Sequence, residues 1–236
     1  MGLYHHPASF IQQFQVIIGH GPNCNDGATA MWACWRTLTP EYREALAKEG
    51  GFYSKPCFDT KFNNKDGIFV HPNSVAGAIR LQNKGFPLVF VFSQPGMNIS
   101  DHLVRDKNVL VLDLDLGDAI VPLVEAANYV YVCDHHDTSH STIHKHSDLL
   151  LNTHQHKFSH WIDVSKKECG ATMAWRLTHS AEIPPFVQVV RIGDTWQWHE
   201  YPELQSKLVL RTFYVERAFR SFIDIEETFQ SWNLNF

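Results

Sequence analysis

Residues 109 to 138 read VLVLDLDLGDAIVPLVEAANYVYVCDHHDT. Two apolar, β-branched runs, VLVL (Val109 to Leu112) and YVYV (Tyr129 to Val132), flank GDAIVPLVEAAN, which has helical character despite Pro122. Strands that are apolar without alternation are buried on both faces, and strands joined through a helix run parallel. The first run breaks into Asp113 and Asp115; the second breaks into Asp134, His135, His136 and Asp137. Neither folding nor solubility asks for four polar, metal-capable groups in a row at the end of a buried strand.

The same alternation extends outward. FQVIIG (Phe14 to Gly19) reads as a strand, and DGATAMWACWRTL after it as a helix, with Ala28, Met31, Trp32, Trp35 and Leu38 at helical spacing and Pro40 just beyond. GIFV (Gly67 to Val70) is a weak strand, SVAGAIRLQNKG a helix ended by Gly85, and LVFVF (Leu88 to Phe92) a strong strand. The polar stretch from Thr138 to His160 reads as a long loop. His140, His144, His146, His154, His156 and His160 are then solvated loop residues. After residue 165 the strand signal fades, and KECGATMAWRLTHS, PPFVQVVRIGD and the segment from Tyr201 to Trp232 read as helices. The expectation is an α/β fold: a Rossmann-like parallel sheet flanked by helices over residues 1–165, with a helical C-terminal part, 166–236, completing the same domain.

Composition narrows the function classes. With 44% hydrophobic and 19% charged residues over 236, the chain can bury a core. A net charge of −5 disfavours a general grip on long duplexes. Cys24, Cys34, Cys57, Cys133 and Cys169 are odd in number and widely spaced, which suits a reducing compartment rather than a disulfide framework. The first residues, MGLYHHPASFIQQF, lack the charged start and apolar core of a secretory signal, and no apolar run is long enough to span a bilayer. A cytoplasmic protein with no membrane partner is expected.

In an open parallel sheet, ligands sit beyond the C-terminal ends of the strands. The first strand delivers His20, Cys24 and Asp26 there, in GHGPNCNDG; the later two deliver Asp113 or Asp115, and the DHHD run. Imidazole and carboxylate together suit manganese, iron, zinc or cobalt. Two such ions clamp phosphate oxygens and turn water into hydroxide near neutral pH. Asp26, at a helix N-terminus, is favoured by the helix dipole.

These motifs, taken together, resemble the DHH phosphoesterase family. VIIGHGPNCNDGATAMWACWR is similar to its first motif, VLVLDLDL to its second, YVCDHHDT to its third, and ECGATMAWRL with VVRIGDTWQW to its fourth. The resemblance spans residues 14 to 198 in matching order. It implies a binuclear centre, usually of Mn2+, held by His20, Asp26, Asp113, His135 and Asp194, with Asp113 favoured over Asp115. Cys24 stands where many members have aspartate, a variant found in the branch similar to oligoribonucleases and cyclic-nucleotide phosphodiesterases, and as a candidate metal ligand it either ligates as a thiolate or leaves one metal weaker. His136 would contact the phosphate, and Asp134 would orient His135. Substrates are expected among short oligonucleotides or (cyclic) nucleotides. The C-terminal substrate-binding domain of most relatives has no counterpart after Trp198, so the site is expected to be shallow, or completed by a homo-oligomer or another partner. The alternatives are a non-catalytic nucleotide- or protein-binding domain, motivated by Cys24 and that missing domain, and a pyrophosphatase or polyphosphatase.

Other residues carry less. Trp32, Trp35 and Trp175 are expected in the core. Trp196 and Trp198 flank Asp194, and one of them either lines the cleft or packs away from it. Gly170 either admits a helix close to the cleft or serves plain packing. Arg36, Lys166, Lys167, Arg176 and Arg191 are expected in surface ion pairs rather than on phosphate, and Cys133 as a small buried hydrophobe.

Overall fold

The computed structural model describes residues 7–21, 23–54, 73–179, 182–201 and 221–233. Its centre is a five-stranded sheet. Strand β1 (Val16–His20) pairs with β2 (Val89–Ser93) on one side and β3 (Asn108–Leu112) on the other; β4 (Tyr129–Asp134) and β5 (Phe158–Ile162) follow. Every pairing is parallel, with Ile17 opposite both Phe90 and Leu110. Val16 to Ile18 and Val109 to Leu112 are wholly buried, which is why these segments carry no polar alternation. The sheet is flanked by helices, giving an α/β, Rossmann-like fold. The expected strand GIFV lies outside the described residues.

Helix α1 (Pro7–Ile11) precedes the sheet; α2 (Asn25–Arg36) and α3 (Pro40–Glu49) follow β1. Then come α4 (Val75–Asn83), α5 (Asp101–Val104), α6 (Ile120–Ala126) and α7 (Asp137–Lys145). Three more, α8 (Gly170–Thr178), α9 (Pro185–Asp194) and α10 (Phe222–Asn233), lie in the C-terminal part. Helices α2, α8, α9 and α10 pack on one another as one layer, and α4, α5 and α6 make contact as another. Helix α2 is buried along nearly its whole length, and its alanines at 28, 30 and 33 let it sit closely between β1 and α8. Trp32 stacks on Trp175 with ring centroids 6.0 Å apart and donates from Nε1 to Glu226 of α10 at 3.0 Å. Trp32, Trp35 and Trp175 are thus core residues.

The expected loop from Thr138 to His160 is instead ordered structure. It contains α7, a π-helical segment (Asp148–Thr153) and the edge strand β5. Helix α7 buries one narrow stripe, Ser139 and Ile143, four residues apart. Strand β5 buries only Phe158 fully. An edge strand and a one-stripe helix need few apolar residues, so a histidine-rich composition satisfies both.

At the opposite edge, β2 is closed by side chains. The Tyr53 hydroxyl donates to the Phe90 carbonyl at 3.2 Å and accepts from the Phe90 amide at 3.1 Å. The Tyr42 hydroxyl does the same for Leu88, at 2.7 and 3.1 Å.

The strand order β2-β1-β3-β4-β5 reverses direction at β1 and β3. At such a reversal the connections leave to opposite sides and open a crevice beyond the strand ends, where ligands bind in doubly wound sheets. His20 ends β1, and Asp113 follows β3. Among the described residues, no helix is long and apolar enough to cross a membrane.

Candidate metal centre

Each candidate ligand is placed by the end of an element. His20 closes β1. Cys24 caps α2, its sulfur accepting from the Gly27 amide at 3.5 Å, and Asp26 lies in the first turn of that helix, fully buried. Asp113 leaves β3 with φ of +52°, a left-handed conformation that costs an L-residue about 1–2 kcal/mol. Strand β4 delivers Asp134, followed by His135 and His136, and Asp194 is the last residue of α9. The N-terminus of α8 meets Asp26 directly: the Gly170 and Ala171 amides donate to its two oxygens at 2.6 and 2.7 Å.

The donors form three overlapping groups: His20, Cys24 and Asp113; Asp26, His135 and Asp194; and Asp113, Asp134, His135 and His136. In the first, Asp113 Oδ2 lies 3.9 Å from His20 Nδ1 and 3.8 Å from Cys24 Sγ. In the second, Nε2 of His135 lies 3.3 Å from Asp194 Oδ2 and 3.5 Å from Asp26 Oδ2, and the same nitrogen is 3.2 Å from Asp113 Oδ1 of the neighbouring group. Despite these distances, His135 Nε2 and Asp113 Oδ1 are buried and make no hydrogen bond. Buried polar atoms are nearly always satisfied. A cation between them would satisfy both atoms together. Burial, followed by the charges of Asp26, Asp134 and Asp194, holds the Asp113 carboxyl well above the usual range. The residues present therefore fit divalent ions of the manganese, iron, cobalt and zinc class. Burial, then nearby His136, pushes His20 below the ordinary imidazole range, toward the neutral form that ligation needs. Burial, then Asp113, pushes the Cys24 thiol far above its ordinary value, so without a cation it keeps its proton.

Asp134 corrects one expectation. Its carboxylate does not engage the His135 ring. Oδ1 accepts from the His136 ring Nδ1 at 2.7 Å and from the His135 amide at 2.8 Å, while Oδ2 accepts from Ser139. The chain turns at His136 to start α7, and the turn folds that ring back over Asp134. The bond from Asp134 raises His136 above the usual histidine range. Burial alone would raise Asp134, but its bonds from His136, Ser139 and the His135 amide bring it below the usual carboxylate range. The His136 side chain is 41% exposed, so its ring reaches solvent at the site.

Of the two aspartates after β3, Asp113 joins the donor groups. Asp115 accepts from the Gly117 amide at 2.9 Å and from Thr142 at 3.1 Å, holding the turn to α7. Gly170 abuts the cluster: a Cβ there would lie 2.4 Å from Asp113 Cβ. Trp196 is 80% exposed with φ of +57°, and Trp198 is half-buried. Arg176 pairs with Glu168, Lys166 with Asp137 and Arg36 with Glu226. Arg191 bonds Gln188, the Lys167 carbonyl, Gln197 and Tyr201.

Sequence reasoning missed the Ala171 amide, Ser139 and Gly27, where a Cβ would meet His20 Cβ at 2.7 Å. The Asp26-Gly27 pair was the available signal for Gly27. Nothing in the letters marks a backbone N–H as a carboxylate's partner. No family model, curated protein or solved structure matches this chain.

Proposed function

We propose that this chain is a metal-dependent phosphohydrolase of the DHH type, cleaving phosphodiester bonds of short oligonucleotides or (cyclic) nucleotides. The observation that carries the reading is Asp113, whose Oδ2 belongs to the His20–Cys24 group while its Oδ1 lies 3.2 Å from Nε2 of His135, a member of the Asp26–His135–Asp194 group. Two divalent ions, Mn2+ in this reading, would supply Lewis acidity and lower the pKa of water enough for attack near neutral pH. The chain's own residues do the rest. The α8 amides fix Asp26, and Gly170 lets that helix approach. Asp134 keeps a proton on His136, whose exposed ring offers positive charge and a hydrogen bond to a phosphoryl oxygen as negative charge builds there. Cys24, Cys34, Cys133 and Cys169 are free thiols, in keeping with a cytoplasmic setting.

The test is turnover. Metal-stripped protein reloaded with Mn2+ is offered di- to pentaribonucleotides, cyclic mono- and dinucleotides, and pyrophosphate, beside a His135→Ala, Asp194→Ala double variant. Manganese-dependent hydrolysis of the nucleotides, lost in the variant, is expected. Faster release of phosphate from pyrophosphate would move the reading to a pyrophosphatase. Silence throughout, with metal bound, would move it to a nucleotide- or protein-binding domain.

A further inference from the structure

The donors around His20 and around His135 differ in chemistry. Around His135 they are one imidazole nitrogen and oxygens of Asp26 and Asp194, with Asp113 Oδ1 also 3.2 Å from that nitrogen. Around His20 they are one imidazole, one carboxylate oxygen and the sulfur of Cys24. Thiolate is a soft ligand that selects zinc-like ions, whereas carboxylate-rich sets suit manganese and magnesium. Nitrogen, sulfur and carboxylate oxygen are the donor types of protein zinc sites.

Cys24 is more than a helix cap. Its sulfur both takes the Gly27 amide and faces the buried Asp113 carboxylate, 1% exposed, whose second oxygen has no hydrogen bond. The His20 ring nitrogen turns to that same carboxylate. We infer that the centre is built for two unlike ions: a zinc-class ion held by His20, Cys24 and Asp113, and a manganese-class ion held by Asp26, Asp113, His135 and Asp194. This rests on the binuclear reading above and puts a zinc-class ion in place of Mn2+ at the His20–Cys24 group. On binding, the Cys24 proton leaves to solvent and the S–H bond is replaced by a bond from sulfur to the ion.

Cobalt reports this without any turnover. Chelator-stripped protein titrated with Co2+ is expected to develop a near-ultraviolet sulfur-to-cobalt charge-transfer band. Cys24→Ser and Cys24→Asp are expected to lack that band while still binding Co2+ at the oxygen-rich group. Serine and aspartate both cap helices well, so the fold of α2 is kept. After equilibration with one equivalent of Zn2+ per chain and a large excess of Mn2+, metal analysis is expected to find one of each per wild-type chain. In Cys24→Asp the zinc-to-manganese ratio is expected to fall at least about tenfold, the scale on which even outer-ligand changes act. Two ions per chain with no charge-transfer band, or an unchanged ratio in both variants, would overturn the inference and leave the binuclear reading standing. No ion bound at all would overturn that reading itself.

Discussion

Oδ1 of Asp113 lies 3.2 Å from Nε2 of His135, both atoms are buried, and neither makes a hydrogen bond. An arrangement of this kind is costly unless something positive joins the pair, since an unsatisfied buried polar atom costs about 1–3 kcal/mol. The same aspartate belongs to the His20–Cys24 group and touches His135 of the other, so changing it is expected to act on both at once.

Asp113→Asn keeps the size of the side chain, and asparagine tolerates the left-handed backbone found there. It is expected to lower manganese-dependent turnover at least about 100-fold, equivalent to about 2.7 kcal/mol in the barrier. Asp115→Asn, which touches only the turn bonds to Gly117 and Thr142, is expected to leave turnover within about threefold and to cost about 0.5–1.5 kcal/mol of stability. Steady-state kinetics and urea melts of the two variants side by side check this.

Removing metal should give the protein an unusual response to pH. The folded pKa of Asp113 lies above its unfolded value, so the folded chain holds that proton more tightly. Its contribution is therefore most favourable at low pH and is lost as pH rises from about 4, the ordinary Asp value, through the raised folded value. Asp134 runs the other way: its folded value is depressed, so its contribution is present above the unfolded value and lost as pH falls through the folded one. In chelator, Asp113→Asn is expected to melt above the wild type at neutral pH, with the gap closing on acidification. Saturating Mn2+ is expected to reverse the order, because ligand binding to the folded state alone stabilises it. Melting temperatures across pH, with and without metal, decide the matter; a wild type that melts higher in chelator at neutral pH contradicts the expectation.

If protonated His136 meets the phosphate, turnover falls as pH rises through its folded pKa, which Asp134 holds above the usual histidine value. Asp134→Asn removes that support. The alkaline limb of kcat is then expected to move to lower pH, with a peak rate reduced about 10- to 100-fold. A limb that stays in place would separate His136 from the chemistry.

Gly170→Ala would put a methyl group 2.4 Å from Asp113 Cβ and 2.7 Å from its Cγ. The N-terminus of α8 must then retreat, loosening the two amide bonds to Asp26. A loss of about 1–3 kcal/mol is expected, the usual cost of overpacking, together with weaker Mn2+ binding by calorimetry. Glu226→Ala is the control. It leaves the Trp32 indole N–H and Arg36 without their acceptor and costs a similar amount, but is expected to leave metal affinity unchanged.

What could be read from the letters followed burial. Strands β1 and β3 are solidly apolar because both faces are covered, β4 is apolar with Tyr129 and Tyr131 only partly buried, and their ends stand out as abrupt changes to His20, Asp113 and the DHHD run. Strand β5 was hidden because an edge strand buries little beyond Phe158, and His160 within it suggested a loop. Asp194 came only through resemblance: it ends a helix far along the chain, and no local pattern marks it. The letters do not tell which of the neighbours His135 and His136 folds its ring back onto Asp134; it is His136.

The Tyr53 phenol beside β2 has a bearing on association between molecules. Burial pushes its pKa up, so it stays a neutral hydroxyl that can give a hydrogen bond to Phe90 and take one from it. A bare sheet margin offers such N–H and C=O groups to any passing strand and so templates aggregation. Here one protonated oxygen answers both groups of Phe90, as the Tyr42 oxygen does for Leu88. Along this stretch an incoming strand would have to compete with phenols already seated in the core, so the chain carries its own guard against cross-molecular pairing.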